Sequence, residues 1–143
     1  MNRPNHYAIR DVRCVDLPRH ARADGEVVVA EATAQVPFAI ARLFTVRAPL
    51  GAERGQHAHR QCTQFMICVR GAVEIICDDG AERRAVTLNR GNLALHVPPG
   101  IWNKIIFRKD DSVLAVLCDR PYEEEDYIRD YGAFLSFRQG ARR

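Results

Sequence analysis

The chain has 143 residues, of which 47% are hydrophobic, and a formal net charge of +3 that comes from arginines scattered along its length. This size suits one packed domain, and scattered arginines without a basic run argue against a nucleic-acid partner. The longest apolar runs, 65–69 and 113–118, are too short to cross a bilayer, so we expect a soluble, cytoplasmic protein with no membrane partner.

Short apolar and β-branched runs follow one another along most of the chain. Nine of them predict strands, at 12–17, 26–30, 40–46, 64–69, 72–77, 83–88, 93–97, 102–107 and 112–118. Turn chemistry separates them, as at 48–55, and Asp79-Gly80 is the clearest hairpin signal. Many short strands at regular spacing are typical of an antiparallel barrel or sandwich. The sequence therefore predicts an all-β fold.

The C-terminal stretch has a different period. Between residues 123 and 137 apolar residues recur at helical spacing, and acidic residues occupy the first turn, where the helix dipole favours negative charge. We therefore expect a short C-terminal helix at 123–137.

The five cysteines show no disulfide or zinc pattern. Their number is odd, they form no Cys-x-x-Cys pair, and four lie inside apolar runs. We expect reduced thiols packed in the core.

The most informative stretch begins at Gly51 and ends at Gly71. His57 and His59 follow Gly51, and four residues separate His59 from Gln64. Residues two apart on a strand share a face, so the two histidines project together, and Gln64 can reach the same cavity from the next strand. This spacing is similar to the first cupin motif, in which a glutamate usually occupies the position of Gln64.

A second stretch, from Gly91 to Asn103, is similar to the second cupin motif. Six residues separate Gly91 from Pro98-Pro99-Gly100, and Asn103 stands where that motif has a histidine. The two motifs together imply a cupin, a small jelly-roll antiparallel β-barrel with a short C-terminal helix. We expect residues 1–143 to form one cupin domain.

The replaced positions determine the expected chemistry. A metal-binding cupin uses three imidazoles and one carboxylate, but here neutral amides, Gln64 and Asn103, replace two of the four. We therefore expect no metal, with a metal site as the less favoured alternative. Two free imidazoles are natural general acids and bases, so His57 and His59 are the predicted catalytic residues.

Several candidates also have an ordinary structural explanation. A histidine on an apolar strand, such as His96, is usually a packed core residue, whereas the polar surroundings of His57 and His59 would fill a core poorly. Arg54 fits either a surface charge or a fork that binds a phosphate or sugar hydroxyls. Trp102 fits either a core residue or a wall of the pocket.

Four blocks of sequence are similar to a single family of small cupins. They read Arg54-Gly55-x-His57-Ala58-His59-Arg60, Gln64-x-x-Ile67-Cys68-Val69-x-Gly71, Pro98-Pro99-x-Ile101-Trp102 and Tyr122-x-x-x-Asp126-Tyr127-Ile128-Arg129-Asp130-Tyr131. At these residues the chain resembles the nucleotide-sugar 3,4-ketoisomerases, also described as WxcM-like proteins, from about residue 36 to 137.

The resemblance implies a homodimeric enzyme without a cofactor that interconverts the 4-keto and 3-keto forms of a dTDP-linked 6-deoxyhexose. One histidine would remove the proton at C3, giving an enediol or enediolate, and a proton would return at C4. Which histidine faces C3 stays open, and Gln64 is the candidate for stabilising charge on the keto oxygen. The expected substrate-binding residues are Arg42, Arg54, Gln64, Trp102, Asn103 and Arg129.

Departures from the family and other functions leave alternatives open. Thr45 lies in a strand where relatives usually carry tyrosines, and Asn103 replaces an arginine or histidine, so the configuration at C4 of the product is not predicted. The alternatives are a non-catalytic sugar-nucleotide-binding cupin, an RmlC-like epimerase on a related dTDP-keto-sugar, and a metal-dependent cupin such as a dioxygenase. Strands within 1–35 are expected to be exchanged at the dimer interface.

Overall fold

The structure, a computed structural model, describes residues 6–140, so the ends of the expected 1–143 domain lie outside the described residues. Its strands are β1 (Arg13–Asp16), β2 (Arg19–Arg22), β3 (Gly25–Val28), β4 (Arg42–Arg47), β5 (Glu53–His59), β6 (Gln64–Arg70), β7 (Val73–Asp78), β8 (Arg83–Leu88), β9 (Leu93–Val97), β10 (Trp102–Phe107), β11 (Val113–Cys118) and β12 (Tyr127–Ile128). One helix, α1 (Tyr131–Gly140), follows them.

Most of the strands form two antiparallel sheets. Sheet I has the order β1-β9-β6-β11-β4, and sheet II has the order β12-β5-β10-β7-β8. The remaining two strands, β2 and β3, form a hairpin that is a sheet of its own. The predicted hairpin around Asp79-Gly80 is confirmed, since β7 pairs with β8 across it.

The apolar core lies between sheets I and II. In β10 and β11, buried and half-buried residues alternate strictly, because every second side chain turns inward. The largest fully buried side chains of this core include Met66, Val73, Ile75, Leu88, Leu95, Phe107 and Leu114. None of the helices within residues 6–140 is long and apolar enough to span a membrane.

The predicted helix at 123–137 is wrong in its first half. A short 3-10 turn (Glu124–Asp126) and β12 precede α1, which begins at Tyr131. The Asp126 carboxylate accepts backbone N–H groups of the β5–β6 connection, which holds this segment against the sheet edge. Helix α1 begins only after Asp130, whose side chain caps the N–H of Ala133 at 2.8 Å.

Strand β5 was not predicted over its full length. Residues 48–55 have turn chemistry, yet β5 begins at Glu53, because its backbone pairs with β10 on one side and β12 on the other. On the outer face of sheet II, α1 covers β5 and β12, where Phe134 packs with Ala58 and Ile128. This cover leaves the inner face of β5 free to carry polar side chains.

Candidate active site

Both sheets place polar side chains at the same end of the sandwich. The ladder sets Cys118, the last residue of β11, between Arg42 of β4 and Gln64 of β6. In sheet II, His57 pairs with Asn103. Directly paired residues share a face, and these faces are the inner ones. We call this region the polar end, defined by Arg42, His57, His59, Gln64, Asn103 and Cys118.

A β-bulge in β5 sets the direction of the two imidazoles. Gly55 (φ +79°) and Gln56 (φ +56°) have left-handed backbone, and the ladder with β10 shifts there. A Cβ on Gly55 would lie 2.9 Å from Asn103 Oδ1, so glycine lets β5 approach that amide. Beyond the bulge, His57 and His59 share the inner face, with ring centroids 5.0 Å apart.

His59 forms a buried pair with Asp126. Its Nδ1 lies 2.9 Å from Asp126 Oδ2, and the carboxylate also accepts the backbone N–H groups of Gln61 at 2.7 Å and Cys62 at 3.2 Å. An ionised carboxylate only accepts hydrogen bonds, so His59 Nδ1 carries the proton and Nε2 keeps a lone pair. This Nε2 is buried and has no hydrogen-bond partner within residues 6–140.

Both imidazoles are held neutral. Burial, together with the nearby His59, lowers the pKa of His57 to about 4, and burial also lowers the pKa of His59 against the opposing effect of Asp126. His57 Nδ1 donates to the Gly55 carbonyl at 3.1 Å, which leaves its Nε2 as an acceptor too. Asp126 favours the protonated form of His59, whereas the effects that dominate at His57, burial and the nearby His59, disfavour its protonated form.

The two amides that replace the cupin metal ligands are buried and unsatisfied. Gln64 is 3% exposed and Asn103 1% exposed. Among the residues that the structure describes, Gln64 Oε1 and both amide atoms of Asn103 have no hydrogen-bond partner. Buried polar groups are nearly always paired, and these three unpaired atoms, together with the free His59 Nε2 at the same polar end, indicate a site for a polar ligand.

Tyr127 brings a phenol to the histidines from a different part of the chain. It pairs with His59 in the β12–β5 ladder, and its ring centroid lies 4.3 Å from that of His59 and 5.0 Å from that of His57. Its hydroxyl lies 3.4 Å from an Nη of Arg42. The phenol is therefore placed between the imidazoles and a guanidinium.

Arg42 also contacts a thiol. The same Nη lies 3.4 Å from Cys118 Sγ, and Cys118 is fully buried. Contacts with Cys62, Arg42 and Gln64 lower the pKa of Cys118, although burial opposes them. Burial opposes the charge of Arg42, but its hydrogen bonds to Cys118 and to the Tyr127 hydroxyl outweigh this effect and raise the pKa of Arg42. The guanidinium therefore stays charged. The polar end thus holds a buried guanidinium–sulfur contact.

Two of the predicted arginines lie at the edge of the polar end. Arg54 is exposed and pairs with Ile105, so it lies on the same face of sheet II as His57. Arg129 is exposed, contacts Glu124 at 2.9 and 3.0 Å, and stacks over the Tyr127 ring with its guanidinium carbon 4.3 Å from the centroid. Their roles in substrate binding stay predictions.

The structure does not bring Trp102 to the histidines. Trp102 precedes Asn103 on β10 and therefore lies on the opposite, outer face of sheet II. Its ring packs against Tyr131 and Phe134 of α1, at centroid distances of 5.3 and 5.6 Å. It lines a separate cavity of about 270 Å³ together with Lys104. The structure thus places Trp102 apart from the two histidines, and its role in substrate binding stays a prediction.

One group within the described residues has the geometry to hold a metal ion. His59, Cys62 and Asp126 offer ligand atoms that all lie within 4.8 Å of one another. Two of these atoms, His59 Nδ1 and Asp126 Oδ2, are already joined by their hydrogen bond. The four cupin ligand positions offer two imidazoles and two amides, and the absence of a metal stays a prediction.

Three residues in or beside the polar end, Cys118, Asp126 and Tyr127, were not predicted as functional from the sequence. Asp126 and Tyr127 lie inside the segment expected to be helical, and Cys118 ends an apolar run that predicts only core packing. The signal that pointed to the first two was their place in the Asp126-Tyr127-Ile128 block. Nothing in the local pattern around Cys118 points to Arg42.

Comparison with known proteins places the chain in a family. A family model described as "FdtA: WxcM-like, C-terminal" matches residues 10–139. The TDP-4-oxo-6-deoxy-alpha-D-glucose-3,4-oxoisomerase of Aneurinibacillus thermoaerophilus is 34% identical over 114 residues, which cover 79% of this chain and 82% of the relative.

Solved structures of similar proteins have the same fold. A 3,4-ketoisomerase from Helicobacter canadensis has a TM-score of 0.87 and 28% identity, covering 90% of this chain and 98% of its own. A histidine-to-asparagine mutant of the 3,4-ketoisomerase QdtA from Thermoanaerobacterium thermosaccharolyticum, in complex with TDP-4-keto-6-deoxyglucose, has a TM-score of 0.89 and 25% identity, covering 93% and 97%. The predicted all-β cupin fold is confirmed.

Proposed function

The chain belongs to the FdtA, WxcM-like family, and we propose that it is a nucleotide-sugar 3,4-ketoisomerase that acts on TDP-4-keto-6-deoxyglucose. The enzyme interconverts this sugar and its 3-keto isomer by acid/base chemistry. The observation that carries the proposal is the His59–Asp126 pair, whose free Nε2 lies among buried amides without partners.

In the proposed reaction, His59 Nε2 removes the proton at C3 of the sugar. The pair of electrons left behind forms an enediolate with C4, and the His59 imidazolium, stabilised by Asp126, returns a proton at C4. A neutral imidazole is required at the start, and the lowered pKa of His59 supplies it at neutral pH. His57, whose pKa is about 4, is neutral as well and accepts a hydrogen bond from the sugar through Nε2.

The enediolate oxygen needs hydrogen-bond donors. Asn103 Nδ2 and Arg42 Nε are buried donors without a partner among residues 6–140, and we assign the keto oxygen to them. Gln64, which the sequence suggested for this role, presents an unpaired acceptor, Oε1. We therefore assign Gln64 to a sugar hydroxyl. Arg54 and Arg129, at the edge of the polar end, are assigned to the diphosphate.

Incubation with TDP-4-keto-6-deoxyglucose in deuterium oxide tests the proposal. The wild type is expected to form the 3-keto sugar and to carry solvent deuterium into C3 of the remaining substrate and C4 of the product. His59→Asn, the control, should do neither. Wild-type protein that forms no product and leaves C3 undeuterated would contradict the proposed activity.

The same experiment separates the alternatives. Deuterium at C5 would indicate an epimerase, and tight binding of TDP without exchange would indicate a binding protein. The proposed reaction needs no metal, so dialysis against a chelator should leave the rate unchanged. A loss of activity that a divalent cation restores would refute the metal-free mechanism.

We further propose that the protein is a homodimer and that its N-terminal strands take part in the interface. The β2–β3 hairpin pairs with neither large sheet, and an isolated two-stranded hairpin is only marginally stable in water. Val27 of this hairpin is 59% exposed, and Leu43 on the edge strand β4 is 61% exposed. Light scattering should give twice the chain mass, and Leu43→Asp should lower it. A wild-type monomer would refute the dimer.

We also propose that the protein acts in the cytoplasm. All five cysteines are free thiols, four of them buried, and a cytoplasm keeps such thiols reduced. Fractionation of the native host should recover the activity with cytoplasmic markers, and recovery outside the cell would refute this.

A further inference from the structure

The histidine chemistry leaves Cys118 without a role, although it is held at the centre of the polar end. In the sheet I ladder, Cys118 lies directly between Arg42 and Gln64. It is fully buried, and Arg42 Nη approaches its sulfur to 3.4 Å. A cysteine that only fills space in a core needs no guanidinium beside it.

The surroundings of Cys118 favour a thiolate. Buried cysteines elsewhere in the chain behave in the ordinary way, since burial raises the pKa of Cys68 and raises that of Cys77 to about 12. The pKa of Cys118 is lowered instead, because its sulfur contacts Cys62, Arg42 and Gln64, and Arg42 brings a positive charge to it.

The other charged groups near this thiolate are few. Asp119 and Asp126 face the neighbouring Cys62, whose pKa is raised by its contact with Cys118 first and by burial next. Arg42 is the cation that faces the sulfur, and Tyr127 is the phenol on the far side of Arg42. The two acids favour a protonated Cys62 thiol, which donates to the Thr63 carbonyl at 3.5 Å.

A second observation places a ligand beside this sulfur. Gln64 is 97% buried, and while its amide donates towards Cys118, its Oε1 has no partner within residues 6–140. Arg42 Nε is buried and unpaired in the same way. The two groups that hold Cys118 therefore each have one polar atom left for a bound molecule.

The proposed isomerisation moves two protons between different kinds of atom. One proton goes from C3 to C4, and the other goes from the hydroxyl oxygen O3 to the keto oxygen O4. His59 serves the carbon atoms, and a second group can carry the proton between the two oxygens.

We propose that Cys118 is this second proton-transfer residue: its thiolate, held beside Arg42, accepts the proton that leaves O3 and donates it to O4. This inference rests on the proposed ketoisomerase function. It assigns His59 and Asp126 to the carbon side of the reaction, and Arg42 and Cys118 to the oxygen side.

The step balances without an oxidant or a further reactant. When His59 removes the proton at C3, the C–H electron pair becomes the C3=C4 bond and the carbonyl π pair moves to O4. The O3–H electron pair then forms the C3=O3 bond, the released proton passes through sulfur to O4, and the C3=C4 pair takes the proton from His59 at C4. The sulfur is a thiolate before and after each turnover.

Cys118→Ser and Cys118→Ala test the proposal, with Cys68→Ser as the matched control. Cys68 is another buried inner-face thiol of sheet I, but it donates to the Arg70 carbonyl at 3.2 Å instead of meeting a guanidinium. Each protein is incubated with TDP-4-keto-6-deoxyglucose in deuterium oxide. Deuterium entry at C3 and formation of the 3-keto sugar are followed separately by NMR.

The expected result is a split between the two measurements. Both Cys118 variants should keep exchange at C3 within about tenfold of the wild type but lose product formation by roughly 10²-fold or more. Cys68→Ser should retain both. Cys62→Ala removes a contact that lowers the pKa of Cys118, so it should move the acidic limb of the rate profile to higher pH.

Two outcomes would overturn the proposal. Product formation at the wild-type rate in Cys118→Ser would remove the sulfur from the mechanism, and an equal loss of exchange and isomerisation would make Cys118 merely structural. If the wild type neither exchanges nor isomerises while still binding TDP, the proposed function itself fails, and this inference fails with it.

Discussion

Asp126→Asn tests the His59–Asp126 pair with almost no change in volume. The native carboxylate accepts from His59 Nδ1 and from the backbone N–H groups of Gln61 and Cys62, so it needs two acceptor oxygens. An amide has one. If its oxygen keeps the Gln61 N–H, its NH₂ group faces His59 Nδ1 and forces the proton onto Nε2, where the base should be.

This change of tautomer should cost a large part of the rate. Loss of a correctly protonated base lowers turnover by about 10²- to 10⁴-fold, which corresponds to about 3–5 kcal/mol in the barrier. The backbone N–H left without an acceptor should cost a further ~1–3 kcal/mol of folding stability. Exchange at C3 and isomerisation should fall together, unlike in the Cys118 variants.

For Asp126→Asn, three quantities should be measured together: deuterium exchange at C3 by NMR, the turnover number and the thermal unfolding temperature. Asp119→Asn is the control, because Asp119 Oδ1 caps the Thr63 N–H at 3.1 Å in the same connection, and no contact with either imidazole is found within residues 6–140. Asp119→Asn should unfold at a lower temperature than the wild type but keep the wild-type turnover number. Wild-type exchange in Asp126→Asn, or an equal slowing in Asp119→Asn, would refute the assignment of His59 as an Asp126-supported base.

Three further changes have expected outcomes. Because burial holds the pKa of His57 near 4, the unfolded chain binds a proton that the folded chain refuses, so the free energy of unfolding should fall as pH drops from about 6.5 to 4. Urea titrations at pH 7 and pH 5 should show that the free energy of unfolding falls less in His57→Asn than in the wild type. An equal fall in the two proteins would contradict this. Arg54→Ala should raise KM with little change in kcat, and an unchanged KM would make it a surface charge. Gly55→Ala should raise KM and lower Tm, since its Cβ would press on Asn103 from a left-handed backbone; wild-type kinetics would exclude the close approach.

Much of the fold could be predicted because strand signals are local. The strands predicted at 102–107 and 112–118 and the turn at Asp79-Gly80 are each signalled within a few residues, and the structure confirms them. The helix at 123–137 was misplaced for the opposite reason. Acidic residues before an apolar period fit a helix start, but Asp126 bonds to His59, 67 residues earlier, and that contact is not visible in a local pattern.

In the candidate site, too, contacts within one strand were predictable, whereas contacts between strands were not. His57 and His59 share a face because they are two residues apart on a single strand, so spacing alone predicts their meeting, and the structure shows it. Cys118 meets Arg42 only through the register of β11 on β4, which depends on how the whole sheet pairs. The position of Trp102 was not visible in the motif for a related reason, since the strand period turns its side chain to the outer face of sheet II, against α1.

The polar end divides the proposed chemistry between the two sheets. Sheet II carries His59 on β5 and receives Asp126 from the segment before β12, whereas sheet I carries Arg42 and Cys118. Packed sheets lie about 10 Å apart, which leaves room for one sugar ring once the inner side chains at that end are small or polar. A hexose in this space would meet the imidazole from one side and the guanidinium from the other. Replacing the metal ligands by neutral amides fits this division, because an ion at the cupin centre would occupy the same space and draw on the Nε2 lone pair that the proton transfer requires.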